Sequence, residues 1–135
     1  MTAQQVVERI QKKLQELKIN WRTQTVDTFK AGSPETEVRG ISTTGMATFD
    51  VLRRAAAAGR NFVITHEPTF YNHMDQTADL ETDPIYLAKQ RFIKDNNLVV
   101  FRFHDHAHAL QPDPLVAGSA RMRAWSAAWS VPTYS

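Results

Sequence analysis

Apolar residues near the start of the chain recur every three or four positions, the spacing of one face of an α-helix. Thr2 precedes this stretch, and its side-chain oxygen can cap the first turn of a helix. The apolar positions are Val6, Val7, Ile10, Leu14 and Leu17. The pattern predicts an amphipathic surface helix whose apolar face packs against the rest of the protein.

Four later segments have the composition of β-strands. Residues 21–29 are rich in β-branched and aromatic side chains, and residues 38–42 form a second short extended segment after a turn at 30–34. Residues 61–65 and 98–103 are continuous apolar runs, a pattern typical of strands buried on both faces. Because buried strands of this kind are common in parallel sheets, we expect these two to run parallel.

Two helices are predicted around these strands. Residues 48–58 are rich in helix formers and stop at Gly59, the residue type that most readily adopts the left-handed conformation after a helix. A polar loop over 71–83 leads into a helix over 84–96, with proline at a tolerated first-turn position. The alternation predicts an α/β fold, with a mixed or largely parallel sheet flanked by helices.

Length and charge limit the classes of protein to consider. A chain of 135 residues has the size of one domain, so residues 1–135 are expected to form a single unit. The net charge of +2 is small and the basic residues are scattered, so nucleic-acid binding is not predicted. No apolar run has the length of a membrane span. We expect a cytoplasmic protein, although a secreted chain that had lost its signal peptide would show the same pattern.

The chain contains no cysteine, which limits its chemistry. Disulfides and thiolate ligands are excluded, so a metal site would have to use His, Asp, Glu, backbone atoms or water. The sequence also lacks the glycine-rich phosphate loops and the G-x-S-x-G pattern of serine hydrolases. The histidines therefore become the main candidates for a functional site.

The first candidate motif is His66-Glu67-Pro68, directly after the predicted strand 61–65. Adjacent imidazole and carboxylate groups at a strand end can each bind a metal or share two. Ligands of open α/β sheets also bind outside the carboxyl ends of strands. The alternative is a surface His-Glu pair without a chemical role.

The second motif is His104-Asp105-His106-Ala107-His108, which holds three of the five histidines. In an extended chain the three imidazoles would share a face, whereas in a helix His104 and His108 would lie one turn apart on the same face. Either geometry keeps His104 with His108. The alternative is a histidine-rich turn that binds metal only adventitiously.

Several nearby residues have roles that the pattern leaves open. Asp105 is either a metal ligand or the acceptor that orients a ligating imidazole through its other nitrogen. The role of His106 is also left open by the pattern. His73 and Asp75, in the polar loop, are interpreted as exposed loop residues, and Asp27 is given the same standing.

The motifs in this order resemble the NIF-three-like dinuclear metal-centre family, which also carries the label GTP cyclohydrolase I type 2. The resemblance rests on Val38-Arg39-Gly40-Ile41-Ser42-Thr43-Thr44, on the helix up to Gly59, on residues 62–70 with Thr65-His66-Glu67-Pro68, and on residues 99–108. It covers about the first 115 residues. It implies a NIF-three-like α/β fold and a centre of one or two divalent ions held by His66, Glu67, His104 and His108. Histidine and carboxylate ligands without thiolate suit Zn, Fe, Mn or Ni about equally.

The chain departs from the family pattern at three places. Glu67 stands where the family usually has a second histidine, and His108 stands where it has a bridging aspartate. The family completes its site with a His and a Glu in a C-terminal portion, and this chain has no His after His108 and no Glu after Glu81. The expectation is therefore a single metal-binding domain that lacks this ligand-bearing portion.

The resemblance also implies assembly, because family members form toroidal homo-oligomers, commonly hexamers. Met122, Trp125 and Trp129 recur at helical spacing near the end of the chain, and they are predicted to pack in a core or between subunits.

Three hypotheses for function follow. The first is a metal-dependent hydrolase that acts on a small molecule of unknown identity. The second is a non-catalytic oligomeric module that binds metal or another protein. The third is a shortened form of a longer family member that retains residual function.

Overall fold

The computed structural model describes residues 1–122, which form a mixed four-stranded sheet flanked by helices. The first helix, α1, spans Ala3–Glu16. The strands are β1 (Phe29–Ala31), β2 (Ile41–Thr44), β3 (Phe62–Thr65) and β4 (Val99–Arg102). The other helices are α2 (Phe49–Ala57), α3 (Pro84–Asp95), α4 (Asp105–His108) and α5 (Pro114–Met122), with a 3₁₀ turn at Ala78–Leu80.

The sheet order is β1-β4-β3-β2. β2, β3 and β4 run parallel, and β1 pairs antiparallel with β4 at the edge. The predicted fold class, a mixed α/β sheet with flanking helices, is confirmed. Because β3 and β4 are parallel and pair Thr65 with Arg102, the residues that follow them emerge side by side at one edge of the sheet.

The hydrophobic core lies on both faces of the sheet because successive strand residues point to opposite sides. On one face, Val63 and Val100 pack with Leu52 of α2 and Ile93 of α3. The other face packs against α1 in a second cluster. Its buried members are Ala3, Val7, Phe62, Val99 and Phe101. The sheet is thus a middle layer between α1 and the α2/α3 pair.

The helix boundaries follow the predicted signals. Thr2 and Gln5 form a capping box at the start of α1, which satisfies backbone N–H groups that the first turn leaves free. Gly59 follows α2 with a φ of 69°, and Asp83 caps α3 immediately before Pro84. Within residues 1–122, no helix is both long and apolar enough to span a membrane.

Two strand predictions differ from the structure in position. Most of the predicted strand 21–29 is irregular, and the ladder begins only at Phe29. The reason is that Arg22 and Val26 donate their backbone N–H groups to side chains that follow β4, instead of to a neighbouring strand. The second strand lies at Ile41–Thr44, later than the predicted 38–42.

Candidate metal centre

The edge where β3 and β4 end brings His66 and His104 together. Their rings stack with centroids 4.4 Å apart and an interplanar angle of 21°. His104 directly precedes α4, and the His108 N–H donates to the His104 carbonyl at 3.1 Å. The histidine-rich motif is therefore helical, which places His108 one turn beyond His104.

His108 completes a cluster of three imidazoles. Its ring centroid lies 4.8 Å from that of His66 and 4.8 Å from that of His104. One nitrogen of each ring lies within 4.8 Å of one nitrogen of the other two. Three such nitrogens can hold one metal ion.

Each of these three imidazoles has a hydrogen-bond acceptor at Nδ1. The pairs are His66 with the Phe103 carbonyl at 3.3 Å, His104 with Asp105 Oδ1 at 3.1 Å, and His108 with Asp113 Oδ2 at 2.6 Å. An acceptor at Nδ1 keeps the proton there and leaves the lone pair on Nε2. Metal-binding histidines characteristically have such partners, because they fix the ring and increase its basicity. The residues present therefore fit a metal ion.

Asp105 is positioned as the acceptor that orients His104. Its Oδ1 faces His104, while its Oδ2 accepts hydrogen bonds from the Thr25 hydroxyl at 2.8 Å and the Val26 N–H at 3.2 Å. Burial would raise the pKa of Asp105, but these hydrogen bonds outweigh burial and hold the pKa at about 2. The carboxylate is therefore ionised and fully occupied by local partners at neutral pH.

The protonation of the cluster also suits a metal ion. Burial lowers the pKa of His66, and the charge of His104 lowers it further. The hydrogen bond from His108 lowers the pKa of Asp113. At neutral pH, His66 is neutral, as a metal ligand has to be, and Asp113 is ionised, which suits the acceptor of His108.

Glu67 lies beside the three histidines. Its Oε1 is 3.9 Å from His66 Nε2, and nearly half of its side chain is exposed. Glu67 does not belong to the group of three residues with mutually close donor atoms. Its ligation of a metal stays a prediction, while a partly exposed carboxylate beside His66 is compatible with contact to a ligand or water.

The polar loop after β3 also reaches the cluster. His73 is exposed, as predicted, but its ring centroid lies only 5.3 Å from that of His104. Asp75 is not a free loop residue, because its carboxylate accepts backbone N–H groups from Thr69 and Phe70 at 2.7 Å and from Tyr71 at 3.1 Å. Asp75 therefore organises the loop that carries His73.

Asp27 is not an exposed loop residue either: it is 2% exposed and lies under α4. Its carboxylate accepts the backbone N–H groups of His104, Asp105 and His106 at 2.6, 2.9 and 3.0 Å. It also contacts His106 Nδ1 at 2.6 Å. One buried carboxylate thus holds the turn that carries two of the clustered histidines.

His106 has a structural position that differs from those of its neighbours. It is fully buried, stacks on Trp21 with centroids 3.9 Å apart, and accepts the Arg22 N–H at Nε2 at 3.0 Å. Because both ring nitrogens are occupied, His106 has none left for a metal.

The predicted helical residues Trp125 and Trp129 lie outside the described residues.

We expect Asp105→Asn to weaken metal binding about 10- to 100-fold, the usual effect of losing a partner of a ligating histidine. The amide is a weaker acceptor for His104 Nδ1 than the carboxylate. Competition with a chromophoric chelator would measure the affinity. Thr25→Val, which removes a hydrogen bond to the other oxygen of Asp105, is the matched control and should cause a smaller loss. Equal affinities in Asp105→Asn and wild type would contradict this role.

No protein-family model and no curated protein matches this sequence. Several solved structures do match. The reduced form of HcgD from Methanocaldococcus jannaschii has a TM-score of 0.66 at 16% identity, over 87% of this chain and 46% of that one. The protein ybgI, of unknown function, has a TM-score of 0.63 at 19% identity, over 87% and 46% of the two chains.

A Bacillus cereus protein related to NIF3 has a TM-score of 0.52 at 21% identity, over 63% of this chain and 23% of that one. The chain therefore spans less than half the length of each of these three structures. These similarities show a NIF3-like fold.

Proposed function

We propose that this chain, with its NIF3-like fold, binds a divalent metal ion through His66, His104 and His108 and acts as a metal-dependent hydrolase. The observation that carries the proposal is the set of acceptors at Nδ1 of all three rings. These acceptors leave the three Nε2 lone pairs free, in rings that each have one nitrogen within 4.8 Å of the others at the carboxyl end of the sheet. Three protein ligands with an open side are typical of catalytic rather than structural zinc sites.

A metal ion bound there would polarise a substrate oxygen and lower the pKa of a bound water. Among residues 1–122, Glu67 is the group best placed to accept a proton, because its carboxylate lies 3.9 Å from His66 and nearly half of its side chain is exposed. Asp105 and Asp113 are committed to orienting imidazoles and have no part in proton transfer. The function thus divides between three ligands, two orienting carboxylates and one exposed carboxylate.

The three imidazole donors reduce the range of suitable metals without identifying one. Imidazole suits zinc, iron and nickel, and manganese prefers sites with more oxygen ligands. The three histidines serve one ion. A second ion would need ligands beyond this group, with Glu67 as the first candidate.

The alternative function is a non-catalytic module that binds metal and assembles into a homo-oligomer, with a hexamer as the first expectation. Exposed apolar side chains on α5 favour this alternative, since they offer surface for a subunit contact. They are Leu115, Val116 and Met122. Metal-dependent assembly without any turnover would support this function over the first.

The hydrolase proposal is tested by screening a panel of ester, phosphoester, amide and cyclic-amidine substrates with protein loaded in turn with each metal. We expect turnover that His66→Ala and His104→Ala abolish and that Glu67→Gln lowers by about 10²- to 10⁴-fold, the usual contribution of a general base. Activity that survives both histidine substitutions would refute the proposal. Met46→Ala, an exposed residue outside the histidine cluster, is the control and should have no effect.

A further inference from the structure

Arg102 is the last residue of the otherwise apolar strand β4, and its charged side chain is fully buried. Its Nε donates to the His66 carbonyl at 3.0 Å, and its Nη1 donates to the His73 carbonyl. Its Nη2 lies 3.4 Å from His73 Nδ1. One guanidinium thus connects the end of β3 to the loop residue beside the metal site.

This contact distinguishes His73 from the three clustered histidines. A guanidinium carries only donors, so His73 Nδ1 has to be the acceptor in this pair. In His66, His104 and His108 the partner of Nδ1 is an oxygen that accepts. The hydrogen of the His73 ring therefore resides on Nε2, the opposite arrangement from the three proposed ligands.

An imidazole with hydrogen on Nε2 does not bind a metal through that atom. A proton on Nδ1 would point at the guanidinium, so the tautomer that could bind a metal is disfavoured. His73 is therefore a hydrogen-bond donor beside the metal site.

The loop holds His73 in place, although the residue is exposed. Asp75, with a left-handed φ of 55°, closes the loop by accepting the N–H groups of Thr69, Phe70 and Tyr71. Arg102 fixes both the carbonyl and the ring of His73. A donor fixed in advance binds an acceptor at a lower entropic cost than a mobile one.

We infer that His73 forms an oxyanion subsite beside the three clustered histidines, where its Nε2–H donates to a phosphate-type oxygen of the ligand. The buried Arg102 positions His73, and its charge adds a favourable field for an anion without touching it. The inference rests on the proposed function, because the metal and the donor would act on the same ligand. In this arrangement His73 contacts the bound anion and does not coordinate the metal ion.

The test uses the full chain loaded with one equivalent of Co²⁺, whose absorption spectrum reports the ligand field. Binding of inorganic phosphate is measured by calorimetry and by the change in that spectrum. We expect His73→Ala to weaken phosphate binding about 10-fold or more, as for a hydrogen bond to a charged group, and to leave Co²⁺ affinity unchanged. His73→Gln, whose side-chain amide places an N–H near the same position, should restore much of the loss. Met74→Ala, an exposed neighbour in the loop, is the control.

The possible failures are distinguishable. Wild-type protein that does not bind Co²⁺ would overturn the proposed function and the inference with it. Co²⁺ binding with equal phosphate affinity in wild type and His73→Ala would overturn the inference alone, as would wild-type protein that binds Co²⁺ but no phosphate. Weaker Co²⁺ binding in His73→Ala would make His73 a metal ligand and also overturn it.

An independent measurement is the tautomer of each histidine, read from ¹⁵N chemical shifts of the imidazoles at a pH where they are neutral. We expect His73 in the Nε2–H form and His66, His104 and His108 in the Nδ1–H form. A Nδ1–H form at His73 would overturn the inference, whatever the binding data show.

Discussion

His104→Ala is expected to lower the affinity for Zn²⁺ by more than about 100-fold, beyond the 10- to 100-fold typical of losing a partner of a ligating residue. The substitution removes the ring that lies 4.4 Å from His66 and 4.8 Å from His108. With two imidazoles left, no three-nitrogen site remains within the described residues. His66→Ala and His108→Ala should have effects of similar size.

Chelator competition and elemental analysis after dialysis measure this loss directly. The melting temperature is a second readout. Zn²⁺ should raise the melting temperature of wild type, because a ligand that binds only the folded state stabilises it. The melting temperature of His104→Ala should not change when Zn²⁺ is added. His73→Ala is a matched control that removes an imidazole 5.3 Å from the same ring and should keep the affinity. Near-stoichiometric zinc in each of His66→Ala, His104→Ala and His108→Ala would contradict the proposed centre.

Much of the fold is predictable because its signals are local. The continuous apolar runs predict β3 and β4, which are buried on both faces, and Gly59 predicts the end of α2. Once the two buried parallel strands are taken as neighbours in the sheet, as β3 and β4 are, the residues after them emerge side by side at one edge. The proximity of His66 and His104 follows from that geometry alone.

The histidine-rich motif shows where the pattern stops being informative. An extended chain would put all three histidines on one face, but a helix turns each residue by about 100°, so His106 faces away from His104 and His108. His106 is accordingly buried against Trp21. Helical periodicity separates His106 from the other two histidines, but it can be applied only if the chain is known to leave the strand conformation after His104.

Asp27 and Arg102 were missed for different reasons. Asp27 contacts residues 77 to 79 positions later in the chain, and no local pattern reports such a pairing. Arg102 did give a signal, since it is the charged residue within the apolar run 98–103. A charge in a buried strand needs specific acceptors, and here two of them lie in the loop that carries His73.

Asp27→Ala is expected to destabilise the fold by about 3 kcal/mol or more, because each buried donor left without an acceptor costs about 1–3 kcal/mol. The substitution leaves three backbone N–H groups and the His106 ring without their acceptor, all under α4. Asp27→Asn should also be costly, because Oδ2 accepts from two donors of His106 and an amide nitrogen there would meet them with hydrogens.

Urea unfolding of the metal-free protein measures this effect without interference from metal binding. Asp50→Ala is the matched control, because it removes a surface carboxylate paired with Arg54 and should cost less than about 1 kcal/mol. The double variant with His106→Ala should cost less than the sum of the single changes, since both remove the same contact. A loss below about 1 kcal/mol in Asp27→Ala would mean that α4 is held mainly by apolar packing and that the buried carboxylate does not position His104.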